Sequence, residues 1–309
     1  MLKKLGEKTY YIESDTNIGI YMTGPDRVCL IDTGSKGDGE KIDEILTEQG
    51  WTLDFIVNTH SHIDHIGGNK YLMEKYGVPA YCTDVDKTFA EYADLEASYM
   101  NGGKPAGKLA HIFKHPGKIG FRAIEDVLPE GTAAAEGDAE CPLHGLQWKA
   151  LPGHTFGMIG VKTPDDVWFL GDAYLSKAYM EKRSFGYLVD AGAYLETLEM
   201  LKSLDGALFV PAHGVAEEDI SEILEMNETN QKKLIKAVKD ACSGEGSAAE
   251  YTGAGLDEIL QKMYEATMLR NNVANHALLS STVKCYLTYL QDAGEIECVF
   301  EDNMMVWRA

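Results

Sequence analysis

His60, His62, Asp64 and His65 fall within six residues, inside Asn58-Thr59-His60-Ser61-His62-Ile63-Asp64-His65-Ile66-Gly67-Gly68. They follow directly on the apolar run Phe55-Ile56-Val57. Imidazole nitrogens and carboxylate oxygens together suit Zn²⁺, and also Fe, Mn or Co. In an extended segment, side chains two apart share a face. His60 and His62 can therefore grip one ion together. Asp64 and His65 lie further on, where the chain should turn into the next helix, and can face a second ion. The competing reading is a polar loop that happens to be rich in histidine.

The elements that must position these residues decide between the two readings. Val28–Ile31 reads as a buried strand and runs out into Asp32-Thr33-Gly34. Leu53–Val57 is the next strand and leads into the histidine cluster. Leu146–Leu151 ends in Pro152-Gly153-His154, Val167–Leu170 in Gly171-Asp172, and Ala207–Val210 in Pro211-Ala212-His213-Gly214. In α/β architectures the working residues gather where strands end and loops begin. One histidine after a strand is ordinary, but five strands that each run out into a potential ligand form a pattern. A catalytic zinc needs about three protein ligands and an open position. His60, His62, Asp64, His65, His154, Asp172 and His213 are too many for one such site and suit two. His144 and His276 end no such strand and read as structural.

Between these strands, 3.6-residue periodicity predicts helices over 41–49, 69–76, 85–99 and 191–204. Pro79–Thr83 and Ile159–Thr163 read as further strands, and Pro164-Asp165-Asp166 as a hairpin turn before Val167. From Glu217 the character changes. Helices are expected over 217–242, 256–268 and 275–291, then a hairpin built from 295–300 and 304–308. This divides the chain into 1–216, a catalytic domain, and 217–309, a small helical domain whose order of elements resembles a winged helix. Its hairpin carries Glu295, Glu297, Glu301 and Asp302 against Arg308, so packing, lid or dimerisation suits it better than DNA.

Net charge points the same way. At −21 the chain lacks the Lys and Arg surplus from which non-specific nucleic-acid affinity is built. The first residues hold no apolar signal-peptide core, and no apolar run is long enough to span a membrane. The six cysteines are scattered without a Cys-x-x-Cys pair. A cytoplasmic protein with reduced thiols, acting on a small molecule and not at a membrane, is the expectation.

The His-x-His-x-Asp-His motif at 60–65, followed in order by His154, Asp172 and His213 and preceded by Leu30-Ile31-Asp32-Thr33-Gly34, resembles the metallo-β-lactamase superfamily over about residues 8–215. The resemblance implies an α/β fold, an αββα sandwich with two divalent metal ions at one edge, zinc foremost and iron or manganese as alternatives. It implies that His60, His62 and His154 hold one ion and Asp64, His65 and His213 the other. Asp172 would bridge them, and Asp32 would orient a ligand by hydrogen bonding. The lactam-cleaving branch has a cysteine where this chain has Asp172. The chain is thus more similar to the branch of glyoxalase II-like thioesterases and lactonases.

The expected reaction is hydrolysis of a small, anionic or neutral ester or thioester by a metal-activated water, with Asp64 or Asp172 relaying the proton. A phosphodiesterase, ribonuclease or lactonase of the same fold is the alternative. A redox diiron protein ranks below these, because His62 stands where such relatives usually carry Glu. Tyr174, two residues beyond Asp172, is expected to donate a hydrogen bond to a substrate oxygen, against a competing role as a packing tyrosine. Residues 101–122 carry Lys104, Lys108, Lys114, Lys118 and Arg122 without an acid among them. They read as a glycine-rich flap whose Lys114 and Lys118, with Lys182 and Arg183 from the other side, receive an anionic part of the substrate. The competing reading pairs these lysines with the acidic surface of a second copy, as a homodimer.

Overall fold

A computed structural model describes the chain apart from residue 93 and residues 108–119, 133–142, 183–184 and 244–252. The chain opens with three short strands, β1 (Leu2–Lys4), β2 (Thr9–Ile12) and β3 (Ile18–Met22). Then come β4 (Arg27–Ile31), α1 (Asp38–Gln49), β5 (Thr52–Val57), α2 (Ile63–Ile66), α3 (Asn69–Tyr76) and β6 (Ala80–Cys82). Helices α4 (Asp84–Glu91) and α5 (Leu95–Asn101) precede β7 (Phe121–Ala123). The second half runs β8 (Gln147–Ala150), β9 (Ile159–Lys162), β10 (Val167–Phe169), α6 (Lys177–Lys182), α7 (Ala191–Leu201) and β11 (Leu208–Val210). It closes with α8 (Ser221–Cys242), α9 (Leu256–Thr267), α10 (Val273–Asp292), β12 (Glu297–Glu301) and β13 (Met304–Arg308).

Strands β1 to β7 form one sheet in chain order, antiparallel up to β4 and parallel from β4 to β7. A second sheet has the order β11-β10-β9-β8, with β10 and β11 parallel. Side-chain alternation on β4 builds two layers of core at once. Cys29 and Ile31 point between the sheets, where they meet Val161 and Phe169. Val28 and Leu30 point outward onto Ile42 and Leu46 of α1. Burial on both faces is why β4 and β5 read as continuous apolar runs. The outer face of the second sheet is covered by α7, α8 and α10. Trp168 and Leu170 share one cluster with Leu198, Leu224, Val238, Val283 and Tyr286. The result is an αββα sandwich.

One sequence expectation changes here. The single helix over 85–99 is two helices, because its apolar residues serve different cores. Ala90 packs under the first sheet, whereas Ala97 and Met100 pack on Tyr187 and Ala277. Residues on both sides of position 216 contribute to one packed cluster. The terminal hairpin forms as expected, with Asp302 and Asn303 at φ 45° and 63° in its turn. Arg308 is ion-paired to Glu297 and Glu301. No described helix is long and apolar enough to cross a membrane.

Candidate metal centre

Five strand ends deliver the site. Asp32 follows β4 at φ 63°, and its N–H donates to the Val57 carbonyl at 2.9 Å, which locks the end of β4 to the end of β5. The chain leaving β5 carries His60 and His62, and the single turn of α2 then carries Asp64 and His65. Gly153 sits at φ 124°, and a Cβ there would lie 2.4 Å from the Tyr194 backbone. Gly171, at φ 54°, would place a Cβ 2.9 Å from Thr59 Oγ1. The glycines before His154 and Asp172 thus meet both a backbone and a steric requirement. His213 arrives from β11.

Hydrogen bonds on the outer side of four of the rings fix which nitrogen faces inward. Thr59 Oγ1 donates to Asp32 Oδ2 at 2.8 Å and so accepts from His60 Nδ1 at 3.1 Å. His65 Nδ1 donates to Asp32 Oδ2 at 2.8 Å. His154 Nδ1 donates to the Tyr187 carbonyl at 2.9 Å, and His213 Nδ1 to the Asp15 carbonyl at 2.6 Å. His62 Nε2 faces Glu96 Oε1 at 3.5 Å. Five lone pairs therefore point at one another from the inner side. His60 Nε2 is 3.0 Å from His62 Nδ1, which is 2.9 Å from His154 Nε2. Asp172 spans the two sets, with Oδ2 3.2 Å from His154 Nε2 and 3.8 Å from His65 Nε2, and Oδ1 3.5 Å from His213 Nε2. Asp64 Oδ2 is 3.5 Å from His213 Nε2 and 3.9 Å from His65 Nε2.

Electrostatics separate the rings. Burial holds His60 well below the usual histidine range. It also pulls His154 down to about 4, despite the nearby Asp172. Burial opposes charge at His65 too, but Asp32, Asp64 and Asp172 together outweigh it and hold that ring well above its usual range. At His213 burial is outweighed by Asp172 and Asp64, which raise it to about 9. Burial would lift Asp172, yet His213, His154 and His65 hold it well below the carboxylate range.

The donor set fits divalent cations. His60, His62, His154 and Asp172 offer ligand atoms within 4.8 Å of one another, and so do Asp64, His65 and His213. His65 Nε2 is buried without a hydrogen-bond partner among the described residues. Buried polar atoms are rarely left so, and a cation would satisfy this one. Asp32 serves four groups: His65 Nδ1, Thr59 Oγ1, the Thr59 N–H at 2.8 Å and the Asn58 side-chain amide at 3.3 Å. Asp32→Asn should lower metal affinity about 10- to 100-fold, read by competition with a chromogenic chelator. An unchanged affinity would reduce Asp32 to a backbone tie.

Other residues singled out in the sequence lie elsewhere. Tyr174 is 3% exposed within the outer core, and its hydroxyl has no partner among the described residues. It does not line the cleft of about 200 Å³ that opens onto His62, Asp64, His154, Asp172 and His213. An unpartnered buried hydroxyl costs stability. Tyr174→Phe should therefore keep activity and leave the melting temperature equal or higher, and a loss of turnover would restore a role in chemistry. Lys182 is exposed at the end of α6 and lines a different cleft, with Arg270 and Asn275. Lys114, Lys118 and Arg183 lie outside the described residues.

The structure adds residues that the sequence did not mark. Glu96 stands behind His62, and Asp86 accepts from Ser61 N–H at 2.9 Å and Ser61 Oγ at 2.7 Å, bracing the loop between His60 and His62. Leu278 of α10 reaches the cleft from the C-terminal stretch. Glu96 sits in the first turn of a helix, where an acid looks like an ordinary dipole partner, and nothing in its surroundings marked it otherwise.

The family model of the Metallo-beta-lactamase superfamily matches residues 13–213. The chain is 29% identical over 211 residues to the probable metallo-hydrolase YqgX of Bacillus subtilis, covering 65% of this chain and 87% of that protein. It is 37% identical over 87 residues to the hydroxyacylglutathione hydrolase of Brucella ovis, a match to 28% of this chain and 33% of that protein. Among solved structures, a beta-lactamase domain protein from Burkholderia ambifaria aligns with a TM-score of 0.74 at 16% identity, over 99% of this chain and 93% of its own. A metallo-beta-lactamase family protein from Thermus thermophilus aligns with a TM-score of 0.66 at 18% identity, over 95% of this chain and 94% of its own. With the His and Asp cluster at the strand ends, these matches establish that the chain belongs to the metallo-beta-lactamase superfamily, as a metallo-hydrolase whose substrate the family alone does not name.

Proposed function

We propose that this chain holds two divalent cations, zinc foremost, and hydrolyses a small ester or thioester. The observation that carries the reading is Asp172, whose two carboxylate oxygens face different groups of histidines. His60, His62 and His154 would hold one ion and Asp64, His65 and His213 the other, with Asp172 shared between them. Cations bound there would bring the pKa of a water toward neutrality and polarise the scissile carbonyl. Asp32 holds His65 and Thr59 in place, and through Thr59 the His60 ring. Asp64 and Asp172 are the carboxylates positioned to take a proton and pass it to the leaving group. The Asp64 side chain is 37% exposed against 15% for Asp172, so Asp64 is the more accessible of the two.

The likeness to a hydroxyacylglutathione hydrolase supports a thioester, as does the aspartate at position 172. The acidity of the terminal hairpin and of the whole chain supports a small-molecule substrate over a nucleic acid. The five described cysteines are all free, which supports a cytoplasmic setting. The test is a screen of thioesters, lactones and phosphodiesters with enzyme loaded with Zn²⁺, Mn²⁺ or Fe²⁺. Turnover of thioesters or esters above the other classes is expected. Faster turnover of phosphodiesters would assign the phosphodiesterase reading instead.

A further inference from the structure

The cleft over the candidate ligands is walled by Met100, Leu175, Tyr179, Tyr187 and Leu278, and no Lys or Arg is among the described residues lining it. A second cleft, of about 470 Å³, has the opposite character. Lys182 at the end of α6 and Arg270, in the connection between α9 and α10, line it together. The chain carries a net charge of −21, so acids to pair with are abundant. Yet both cations are exposed, and neither has an ion-pair partner among the described residues. Glu181 is the one acid among the described residues that line the cleft. The backbone of Arg270 is held in place: its carbonyl accepts from the Asn275 side-chain amide at 2.8 Å and from that of Asn272 at 3.3 Å. Met180 and Leu269 of the same cleft are half-buried against the outer core.

The two clefts lie end to end along the same pair of helices. On α10, Asn275 lines the cationic cleft and Leu278 the cleft over the ligands. On α6, Lys182 lines the first and Tyr179 the second. Residues three apart on a helix are neighbours on one face, with Cβ atoms about 5–6 Å apart. Each helix therefore crosses from one space to the other within a single turn. Tyr179 stands at the border, its ring centroid 6.2 Å from that of His213. We infer that the cationic cleft is a subsite for a carboxylate at the far end of the substrate. A slim uncharged spacer would run from the reacting carbonyl past Tyr179 and Leu278 to Lys182 and Arg270. This rests on the hydrolase reading for the placement of the carbonyl. A guanidinium meets a carboxylate with two parallel N–H donors, and Lys182 adds a point charge. Two cations against Glu181 leave one positive charge in surplus, which matches a carboxylate better than a dianionic phosphate.

The test separates binding from turnover. Calorimetry with the Zn²⁺-loaded protein would compare straight-chain dicarboxylic acids of about four to ten carbons with monocarboxylic acids of the same lengths. Neither series can be cleaved, and both offer one carboxylate to the metals, so the ratio of affinities reads the far end alone. An exposed ion pair changes affinity up to about fivefold, so two of them should give a ratio of about tenfold at the best length. Added salt should lower that ratio. Arg270→Gln should bring it close to one, and Glu181→Gln, which removes the opposing charge, should raise it about two- to threefold. Both substitutions are at exposed positions, where a change of side chain leaves the fold intact. A ratio near one at every length, or one that Arg270→Gln leaves unchanged, would overturn the inference. Turnover then locates the carboxylate within the substrate. Half-thioesters of the same diacids carry it on the acyl side, and acetyl thioesters of mercaptocarboxylic acids on the leaving side. A gain in kcat/KM over the neutral counterpart in either series upholds the subsite and assigns the side. Turnover in both series that ignores the carboxylate would overturn the inference and leave the hydrolase reading standing. Charge-selective binding that Arg270→Gln abolishes, with no turnover of any ester or thioester, would uphold the subsite and defeat the hydrolase reading.

Discussion

Replacing Asp172 with alanine is expected to lower kcat at least about a thousandfold, a loss of about 4 kcal/mol of transition-state stabilisation. The carboxylate contributes one oxygen to the neighbourhood of His154 and His65 and the other to that of His213. Its loss leaves three inward-facing rings without the charge they share and separates the two ligand sets. Asp172→Asn keeps the shape but replaces one oxygen with an amide nitrogen that has no lone pair to offer, so it should fare little better. Circular dichroism would check that both variants fold. A variant that folds and retains full activity would show that the residue is dispensable and that the two sets do not act together.

Metal removal should have the second large effect. Dialysis against a chelator is expected to abolish activity, and added Zn²⁺ to restore it. A ligand present at about a thousand times its dissociation constant stabilises by about 4 kcal/mol. In a domain of this size that corresponds to a fall in melting temperature of about 10 °C on stripping. The stripped protein should also gain a pH dependence that the loaded protein lacks. The pKa of His213 in the fold is raised to about 9, by Asp172 and Asp64 against its burial. A raised pKa contributes stability that is complete below the unfolded value of about 6.5 and lost as pH climbs through about 9. The melting temperature of the stripped protein should therefore drop between pH 6.5 and 9, while that of the loaded protein holds steady. Parallel curves for the two would mean that no cation replaces the proton on that ring.

The candidate ligands were legible in the sequence because metal chemistry restricts residue types and spacing. The β4, β5 and β10 runs and the polar residues at their ends could be read directly, since strands buried on both faces leave uninterrupted apolar stretches. Strands β1 to β3 and β7 were not readable in the same way. They are short, and Thr9–Ile12 and Ile18–Met22 mix tyrosine, threonine and glycine with aliphatics. The break between α4 and α5 has no Gly or Pro to announce it; it arises because Ala90 and Met100 belong to different cores. That break gives α5 its own direction, and with it the placement of Glu96, Tyr99 and Met100 around the site. The fixing of ring tautomers was equally invisible, because its acceptors include the main-chain carbonyls of Asp15 and Tyr187. The role of residues 217–309 as the outer layer of the sandwich depends on long-range packing of α8 and α10 onto Trp168 and Leu170, which periodicity alone cannot assign.

The central claim is that seven side chains from four strand ends form one two-ion centre. Elemental analysis of protein purified from metal-supplemented medium tests it most directly. Two equivalents of divalent metal per chain are expected in the native protein, falling by at least one in Asp172→Ala. An active protein that carries no metal, or a native protein that saturates at one equivalent and is unchanged by Asp172→Ala, would contradict it.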